Sequence, residues 1–281
     1  MAKCKYCGEK AGLFRSKHKE CEEKNLEGKT DIGLMVFDAL EGKEKMEGLK
    51  GRVNKIASEC SISDEEVKDI LVSEFDLFAF SVVDKGLLSE EQETRVALFQ
   101  NEVGIKQSFL DKYGAFSKLL KSKIIRQITN GEVPDTIQEL VHETPFILNK
   151  GEYLIWLYCK DLINYYEQTT STHYTGGHAG LGIRVAKGLY FRTGGFKGNP
   201  VHTAEMKYIT SGIFGLTNKN IYFYGAHTSL RVPYNKIITV NAYEDGVELQ
   251  QESSRKGTQV FCGVDGWFVY NLIANMKRMQ L

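Results

Sequence analysis

The first two dozen residues contain four potential metal ligands in two closely spaced pairs. Cys4 and Cys7 form a Cys-x2-Cys pair, and His18 and Cys21 form a His-x2-Cys pair further along the chain. Paired Cys and His ligands at such spacings are typical of tetrahedral zinc sites. A segment this short has almost no hydrophobic core, and a bound metal ion contributes roughly 10 kcal/mol or more to its folding. The spacing therefore predicts that the beginning of the chain folds around Zn²⁺.

The residues around the two pairs favour one local geometry. Gly8 directly follows Cys7, and a glycine at this point can adopt the left-handed conformation that closes a tight turn with both thiolates inside. His18 and Cys21 lie three residues apart, which places them on one face at the start of a helix. This arrangement resembles a small treble-clef zinc finger with Cys-Cys-His-Cys ligands. Four protein ligands leave no position for a substrate water, so the role expected for zinc is structural.

The composition limits the class of protein. The chain has 281 residues, of which 42% are hydrophobic and 26% charged, as in a soluble globular protein with room for two domains. No run of about 18 apolar residues is present, and the polar start from Met1 to Lys10 does not resemble a secretory signal. These features predict a cytoplasmic protein. Cys60, Cys159 and Cys262 stand far apart and are expected to be buried free thiols.

The charge balance bears on the partners. Basic and acidic residues are equal in number at 36 each, and a net charge of zero argues against a protein that mainly binds a polyanion. The N-terminal segment is locally basic, so nucleic-acid binding through the predicted finger is an alternative function. Acidic residues interrupt this basic segment and reduce its attraction for phosphates. The basic residues are Lys3, Lys5, Lys10, Arg15, Lys17 and Lys19, and the acidic ones are Glu9, Glu20, Glu22 and Glu23.

Residues 25–133 carry apolar side chains at the spacing of α-helices. Two helix starts are clearly marked, because Ser63 and Ser89 are each followed three residues later by Glu or Gln, the pattern of a capping box. The phrase at residues 84–91 resembles the D-x-G-x-L-S-x-E-E turn that joins two helices in TerB-type modules of tellurite resistance. A helical bundle is therefore predicted for this part of the chain.

The spacing of apolar residues changes after Gly131 and Pro134, which end the helical pattern. The following residues form short segments rich in β-branched and aromatic side chains, separated by Gly, Asn and Asp. Asp245-Gly246 is a typical hairpin turn between two such segments. The last segment, Trp267–Met279, returns to helical spacing. Antiparallel strands followed by one helix are the layout of a pleckstrin-homology-like (PH-like) barrel.

A family resemblance points to the same fold. Residues 212–223 (GIFGLTNKNIYF) and 231–237 (RVPYNKI) resemble the G-x-L-x-L-T-N-x-R-I-x-F … I-P-Y-x-x-I pattern of GRAM and bacterial PH-like domains. Asn220 departs from the pattern, because these domains often carry a basic residue there. The resemblance implies a domain that docks on proteins or lipids and has no catalytic machinery.

Together these patterns predict an α+β protein of several domains. A zinc finger is expected in residues 1–24 and a helical bundle in residues 25–133. An antiparallel PH-like (GRAM-like) β-barrel, capped by a C-terminal helix, is expected in residues 134–281.

A glycine-rich stretch before the GRAM-like phrase is the candidate binding surface. Backbone N–H groups in such a stretch can bind phosphate, although a long hairpin loop explains the same residues. Basic residues on the next strands can line an anionic ligand or simply face water. The candidates are His173, Gly176, Gly177 and His178 in the stretch, with Arg184, Lys187, Arg192 and Lys197 after it.

Catalytic motifs are not recognisable in the sequence. Histidines and carboxylates occur in the second half, at His173, His178, His202, His227, Glu205, Asp245 and Asp265, but no pair has the spacing of a catalytic or metal site. We therefore expect a non-enzymatic cytoplasmic adaptor, with hydrolase activity as the least favoured alternative. Its expected partner is another protein, with an anionic membrane surface or self-association as alternatives. The combination of domains resembles that of bacterial stress and phage-defence proteins.

Overall fold

The computed structural model describes residues 3–12, 15–134, 144–173, 182–186, 189–192, 201–252 and 257–279. The chain divides into two compact units, Met1–Arg126 and Gln127–Leu281. Helices form the first unit, and antiparallel strands with one closing helix form most of the second. The protein is therefore α+β, as predicted. Within the described ranges, no helix is both long and apolar enough to span a membrane.

Six helices make up the helical part of the described chain. They are α1 (Lys19–Glu41), α2 (Leu49–Glu59), α3 (Asp64–Lys85), α4 (Glu90–Val103), α5 (Gln107–Leu110) and α6 (Ala115–Thr129). α1 packs along α3, and fully buried side chains such as Ile32 and Leu40 of α1 and Phe75 of α3 form the centre of the core. The predicted boundary after residue 24 lies inside α1, so the metal-binding segment and the bundle share one continuous helix.

Both predicted capping boxes are present. The hydroxyl of Ser63 accepts the N–H of Glu66, and the carboxylate of Glu66 accepts the N–H of Ser63 over 3.0 Å. Ser89 and Gln92 make the same pair of hydrogen bonds at the start of α4. The hydrogen bond from Lys29 lowers the pKa of Glu66 to about 2, with a further contribution from the N–H of Ser63. The structure thus confirms both helix starts.

Within the described residues, nine strands and one helix follow. The strands are β1 (Leu154–His173), β2 (Gly182–Ala186), β3 (Leu189–Arg192), β4 (Val201–Thr217), β5 (Asn220–Gly225), β6 (Ser229–Pro233), β7 (Ile237–Tyr243), β8 (Gly246–Gln251) and β9 (Gln259–Cys262), and the helix is α7 (Gly266–Met279). Seven strands form one antiparallel sheet in the order β6-β5-β4-β1-β9-β8-β7, and β2 and β3 form a separate hairpin. In the sheet β1 is central, because it pairs with β4 on one side and with β9 on the other.

The sheet is open at β6 and β7, whereas the sequence predicted a barrel. These two edge strands are consecutive in the chain, and only the 3₁₀ turn Tyr234–Lys236 separates them. The sheet must therefore bend strongly so that its two edges approach each other. The buried rings of Tyr165, Phe214 and Phe223 surround that of Phe261, with ring centroids 4.9–5.5 Å from that of Phe261.

The lone cysteines differ in their exposure. All are free thiols, as expected, and Cys262 is buried while Cys60 is half-buried. Cys159 is exposed, so the prediction that it is buried was wrong. It lies between Tyr158 and Ile163, where the register of β1 against β4 shifts. A bulge of this kind turns side chains out of the regular alternation between the two faces of a sheet.

Gly212 of β4 faces the backbone of β5 without room for a side chain. A Cβ atom at this position would overlap the carbonyl oxygen of Tyr224 and lie 2.8 Å from the Cα of Gly225. Backbone atoms cannot move aside as the end of a flexible side chain can. We therefore expect Gly212→Ala to destabilise the strand unit by about 1–3 kcal/mol.

Urea unfolding followed by tryptophan fluorescence measures this effect, because both tryptophans of the chain, Trp156 and Trp267, lie in the strand unit. Thr239→Ala is the control, since Thr239 occupies an exposed position of the edge strand β7 and should change stability by less than about 0.5 kcal/mol. Equal unfolding midpoints for Gly212→Ala and the unmodified protein would contradict the close approach of β4 and β5.

Candidate metal centre and docking face

Cys4 and Cys7 lie on a tight turn near the start of the chain. Lys3 and Lys10 pair as an antiparallel β-bridge, and the N–H of Gly8 donates to the carbonyl oxygen of Cys4 over 2.9 Å. Gly8 has a φ of +77°, the left-handed conformation that the sequence predicted. The sulfur of Cys4 is buried, since this residue is only 2% exposed. The turn thus presents two sulfur atoms to the start of α1.

His18 and Cys21 complete the cluster from the first turn of α1. His18 is the N-cap residue of this helix, and its Nδ1 lies 3.3 Å from Sγ of Cys7 and 3.7 Å from Sγ of Cys21. The ligand atoms of all four residues, Cys4 included, lie within 4.8 Å of one another. Zn–S bonds of about 2.3 Å and Zn–N bonds of about 2.0 Å place tetrahedral ligand atoms roughly 3.5–3.8 Å apart. The cluster therefore has the dimensions of a four-coordinate metal site.

Hydrogen bonds around the cluster orient its ligands. Nε2 of His18 lies 3.0 Å from the carbonyl oxygen of Lys10, so Nε2 carries the proton and Nδ1 faces the three sulfur atoms. The backbone N–H of His18 donates to Sγ of Cys4 over 3.4 Å. Partners of this kind are typical of metal sites, because they fix the tautomer and the orientation of the ligating imidazole.

The pKa values of Cys4 and Cys21 are shifted in opposite directions. Burial raises the pKa of Cys4, but hydrogen bonds from the backbone of Cys7 and His18 outweigh burial and lower the pKa to about 6. Burial and the neighbouring Cys7 thiol together raise the pKa of Cys21 to about 11. A bound cation would stabilise all the thiolates, because its positive charge balances the repulsion between adjacent negative sulfur atoms. Three sulfurs and one imidazole nitrogen form a donor set that suits Zn²⁺, so the four residues fit the predicted cofactor.

No protein-family model matches this sequence, and a search of the curated proteins also finds no match. The assignment of a site thus rests on geometry. Among the residues that the structure describes, Cys4, Cys7, His18 and Cys21 are the only group of three or more Cys, His, Asp or Glu side chains arranged to hold a metal ion.

The second group of predicted site residues is only partly within the described chain. Gly176, Gly177, His178, Lys187 and Lys197 lie outside it. His173 is the last residue of β1 and pairs with Val201 of β4. Arg184 of β2 and Arg192 of β3 belong to one hairpin, in which Arg184 pairs with Tyr190 and Arg192 pairs with Gly182. Binding of an anion by this group stays a prediction.

The histidines and carboxylates considered for catalysis lie on several elements. His202 and Glu205 belong to β4. His227 lies in the turn between β5 and β6, and Asp245 in the turn between β7 and β8. Asp265 accepts the N–H of Phe268 over 3.0 Å and so begins α7. Each of the last three residues therefore belongs to a separate turn of the strand unit.

Glu152 is a buried carboxylate that the sequence analysis missed. Its Oε1 accepts hydrogen bonds from the hydroxyl of Thr217 over 2.5 Å and from Nδ2 of Asn220 over 2.6 Å. Its Oε2 accepts from the hydroxyl of Tyr222 and from the backbone N–H of Asn149, each over 3.0 Å. Burial raises the pKa of Glu152, but these hydrogen bonds, led by that of Asn220, outweigh burial and hold the pKa below its usual value.

Two residues of the GRAM-like phrase, Thr217 and Asn220, donate hydrogen bonds to Glu152. Thr217 and Asn220 begin and end the turn between β4 and β5, and the Thr217 hydroxyl also accepts the backbone N–H of Asn220 over 2.8 Å. Asn220 is only 5% exposed and donates inward to Glu152. Asn220, the position at which the residues depart from the GRAM-like pattern, thus stabilises the turn from inside the strand unit.

One face of the sheet carries exposed tyrosines. Tyr208 is 52% and Tyr224 48% exposed. Ile213 pairs with Tyr224, and Ser211 lies two residues before Ile213 on the same face of β4. The hydroxyl of Tyr208 lies 2.8 Å from Oγ of Ser211, which joins it to this surface. We call Tyr208, Ser211, Ile213 and Tyr224 the tyrosine face, and exposed tyrosines of this kind are typical of protein-binding surfaces.

Proposed function

We propose that this chain is a non-enzymatic cytoplasmic adaptor with a structural zinc site and a PH-like docking domain. The closed geometry of the metal centre carries the proposal. Cys4, Cys7, His18 and Cys21 supply a complete tetrahedral set of ligands, so a bound ion has no open position for a substrate. Zinc held in this way stabilises a fold and does no chemistry itself.

The topology of the strand unit supports the PH-like part of the proposal. Strands β4 to β6 and β7 to β9 form two consecutive meanders that meet through β1, and α7 packs on β7 and β8. The GRAM-like residues 212–223 form the β4–β5 hairpin, with the Thr-Asn turn between its strands. A strongly bent antiparallel sheet followed by one packed helix is the arrangement that the resemblance implies.

The tyrosine face is the proposed surface for a protein partner. Tyrosine combines a large apolar ring with a hydroxyl and loses little conformational entropy on binding, which suits a docking contact. If the partner is instead a membrane surface, Arg184 and Arg192 of the β2–β3 hairpin would contact its anionic headgroups. The nucleic-acid alternative is less favoured, because Lys17 forms an ion pair with Glu22 and Lys19 lies 3.4 Å from Glu23.

Photo-cross-linking tests the docking face. A benzoylphenylalanine residue replaces Tyr208 or Tyr224 in the full chain, and irradiated cells that express the protein are examined for covalent adducts. We expect a discrete adduct with the same protein at both positions. Asn241, exposed on the edge strand β7, is the control position and should give no such adduct. Equal adducts from Asn241, or none from either tyrosine, would rule out this face.

Binding assays separate the adaptor from its alternatives. Nucleic-acid binding at micromolar strength that weakens about tenfold or more between low and physiological salt would favour the finger-led function. Sedimentation with vesicles of anionic lipid would instead move the partner from a protein to a membrane surface. With neither result, the protein adaptor remains the proposed function.

A further inference from the structure

A groove on the helical unit combines an apolar floor with a basic rim. Helices α2, α3 and α5 and the end of α4 surround a volume of about 490 Å³ that is open to solvent. This volume falls within the range of roughly 300–1,000 Å³ that is typical of binding pockets. Val53, Val67, Leu71 and Val103 line its floor, and all four are more than nine-tenths buried. We call this feature the lysine groove.

Three lysines surround the lysine groove. They are Lys50 from α2, Lys68 from α3 and Lys106 just before α5, and Asp64 is the only acidic residue in the lining. Within the described residues, none of the three forms an ion pair, unlike Lys29, which lies 2.6 Å from Glu66. Residues 1–126 contain 22 basic and 23 acidic side chains, so the unit as a whole is not basic. The positive charge is therefore a local property of the groove.

Phe109 provides an exposed aromatic contact at the groove. Its ring is part of the lining although the residue is 42% exposed, and Nζ of Lys68 lies 3.1 Å from the ring centroid. A cation–π contact positions a lysine without neutralising its charge. Lys68 can therefore contact an acidic group of a ligand whose apolar part rests on Phe109.

We propose that the lysine groove binds an acidic amphipathic segment of a partner protein. Its apolar side chains would rest on the valine and leucine floor and on Phe109, and its carboxylates would contact Lys50, Lys68 and Lys106. A peptide fits better than an acyl chain, because the groove is open and its charge is spread over three separate elements. This site lies on the helical unit and the tyrosine face on the strand unit, so each proposal can fail without the other.

Fluorescence anisotropy with the full chain tests the proposal. The probe is a labelled peptide of about 14 residues, with leucine at positions i, i+3, i+4 and i+7 and glutamate at most others. We expect saturable binding that weakens several-fold between about 50 and 300 mM NaCl. Lys50→Glu and Lys68→Glu should each weaken binding at least tenfold, and Asp64→Asn should tighten it two- to threefold. Lys55→Glu is the matched control, because Lys55 is exposed on α2 outside the groove.

The peptide affinities of these variants, compared with one another, decide whether the lysine groove is the binding site. Circular dichroism first establishes that each variant keeps its helical content. If Lys50→Glu and Lys68→Glu bind the peptide as tightly as the unmodified protein, or if Lys55→Glu weakens binding equally, the groove is not the site. Phe109→Ala adds an uncharged test and should also weaken binding. Anionic vesicles that bind through the same lysines, with no binding of the peptide, would overturn the peptide as the ligand.

Discussion

Cys21→Ser is expected to reduce bound zinc from about one ion per chain to nearly none and to unfold the segment before α1. Serine is a poor zinc ligand, and the remaining three ligands hold a segment whose described residues bury few apolar side chains. The loss of folded structure should be confined to the segment before α1. α1 continues into the bundle core through Ile32, Val36 and Leu40, all fully buried, so the later turns of the helix keep their packing.

Two measurements check this result. Metal analysis by mass spectrometry should find zinc in the unmodified protein and in Cys159→Ser, the control at an exposed cysteine outside the cluster. Hydrogen exchange should accelerate in residues 3–21 of Cys21→Ser, while the tryptophan-monitored unfolding midpoint stays unchanged. Retention of the metal by Cys21→Ser would remove Cys21 from the ligand set. If the strand unit of Cys21→Ser also lost its cooperative unfolding transition, the metal would stabilise the whole chain.

Glu152→Ala is expected to destabilise the strand unit by about 3–5 kcal/mol. The substitution removes one carboxylate that accepts hydrogen bonds from Thr217, Asn220 and Tyr222, so these buried donors would lose their charged acceptor. Urea unfolding followed by tryptophan fluorescence measures the change. Glu244→Ala, at an exposed glutamate of the same unit, is the control and should stay within about 0.5 kcal/mol. A small effect of Glu152→Ala would mean that water replaces the carboxylate.

The same carboxylate predicts a dependence on pH. The pKa of Glu152 is lowered in the folded protein, so its contribution is fully present above the unfolded value of 4.5 and is lost as the pH falls through the folded pKa. The free energy of unfolding should therefore fall more steeply below about pH 4.5 in the unmodified protein than in Glu152→Gln, which carries no titrating group there. Parallel curves for the two proteins would show that the pKa of Glu152 does not differ between the folded and unfolded states.

Local signals in the sequence predicted the local features well. The spacing of Cys4, Cys7, His18 and Cys21 was enough to predict that the four side chains lie together, because all of them belong to one short segment. The capping boxes at Ser63 and Ser89 are similarly local, since the two members of each pair lie three positions apart. The hairpin turn predicted at Asp245-Gly246 is local in the same way, and it joins β7 to β8 in the structure.

Features that join distant residues were not predictable in the same way. Glu152 is separated from Thr217 by more than sixty residues, and nothing near it in the sequence indicates that its carboxylate is buried. Strand β9 gives no alternating pattern in the sequence, because all four of its residues are buried. The lysine groove depends on four helices and the loop between α4 and α5, so its charge and shape exist only after the bundle has packed.

The place of β1 in the sheet governs the order in which the strand unit can form. β1 needs β9 as its second neighbour, and the pair Asn164↔Cys262 joins residues almost a hundred positions apart. Ribosomal synthesis therefore leaves one edge of β1 unpaired until β9 has emerged, with buried residues such as Tyr165 still uncovered. The helical unit, whose contacts lie within the first 126 residues, can complete its core much earlier. The half-made sheet is thus the stage most exposed to misassociation during synthesis.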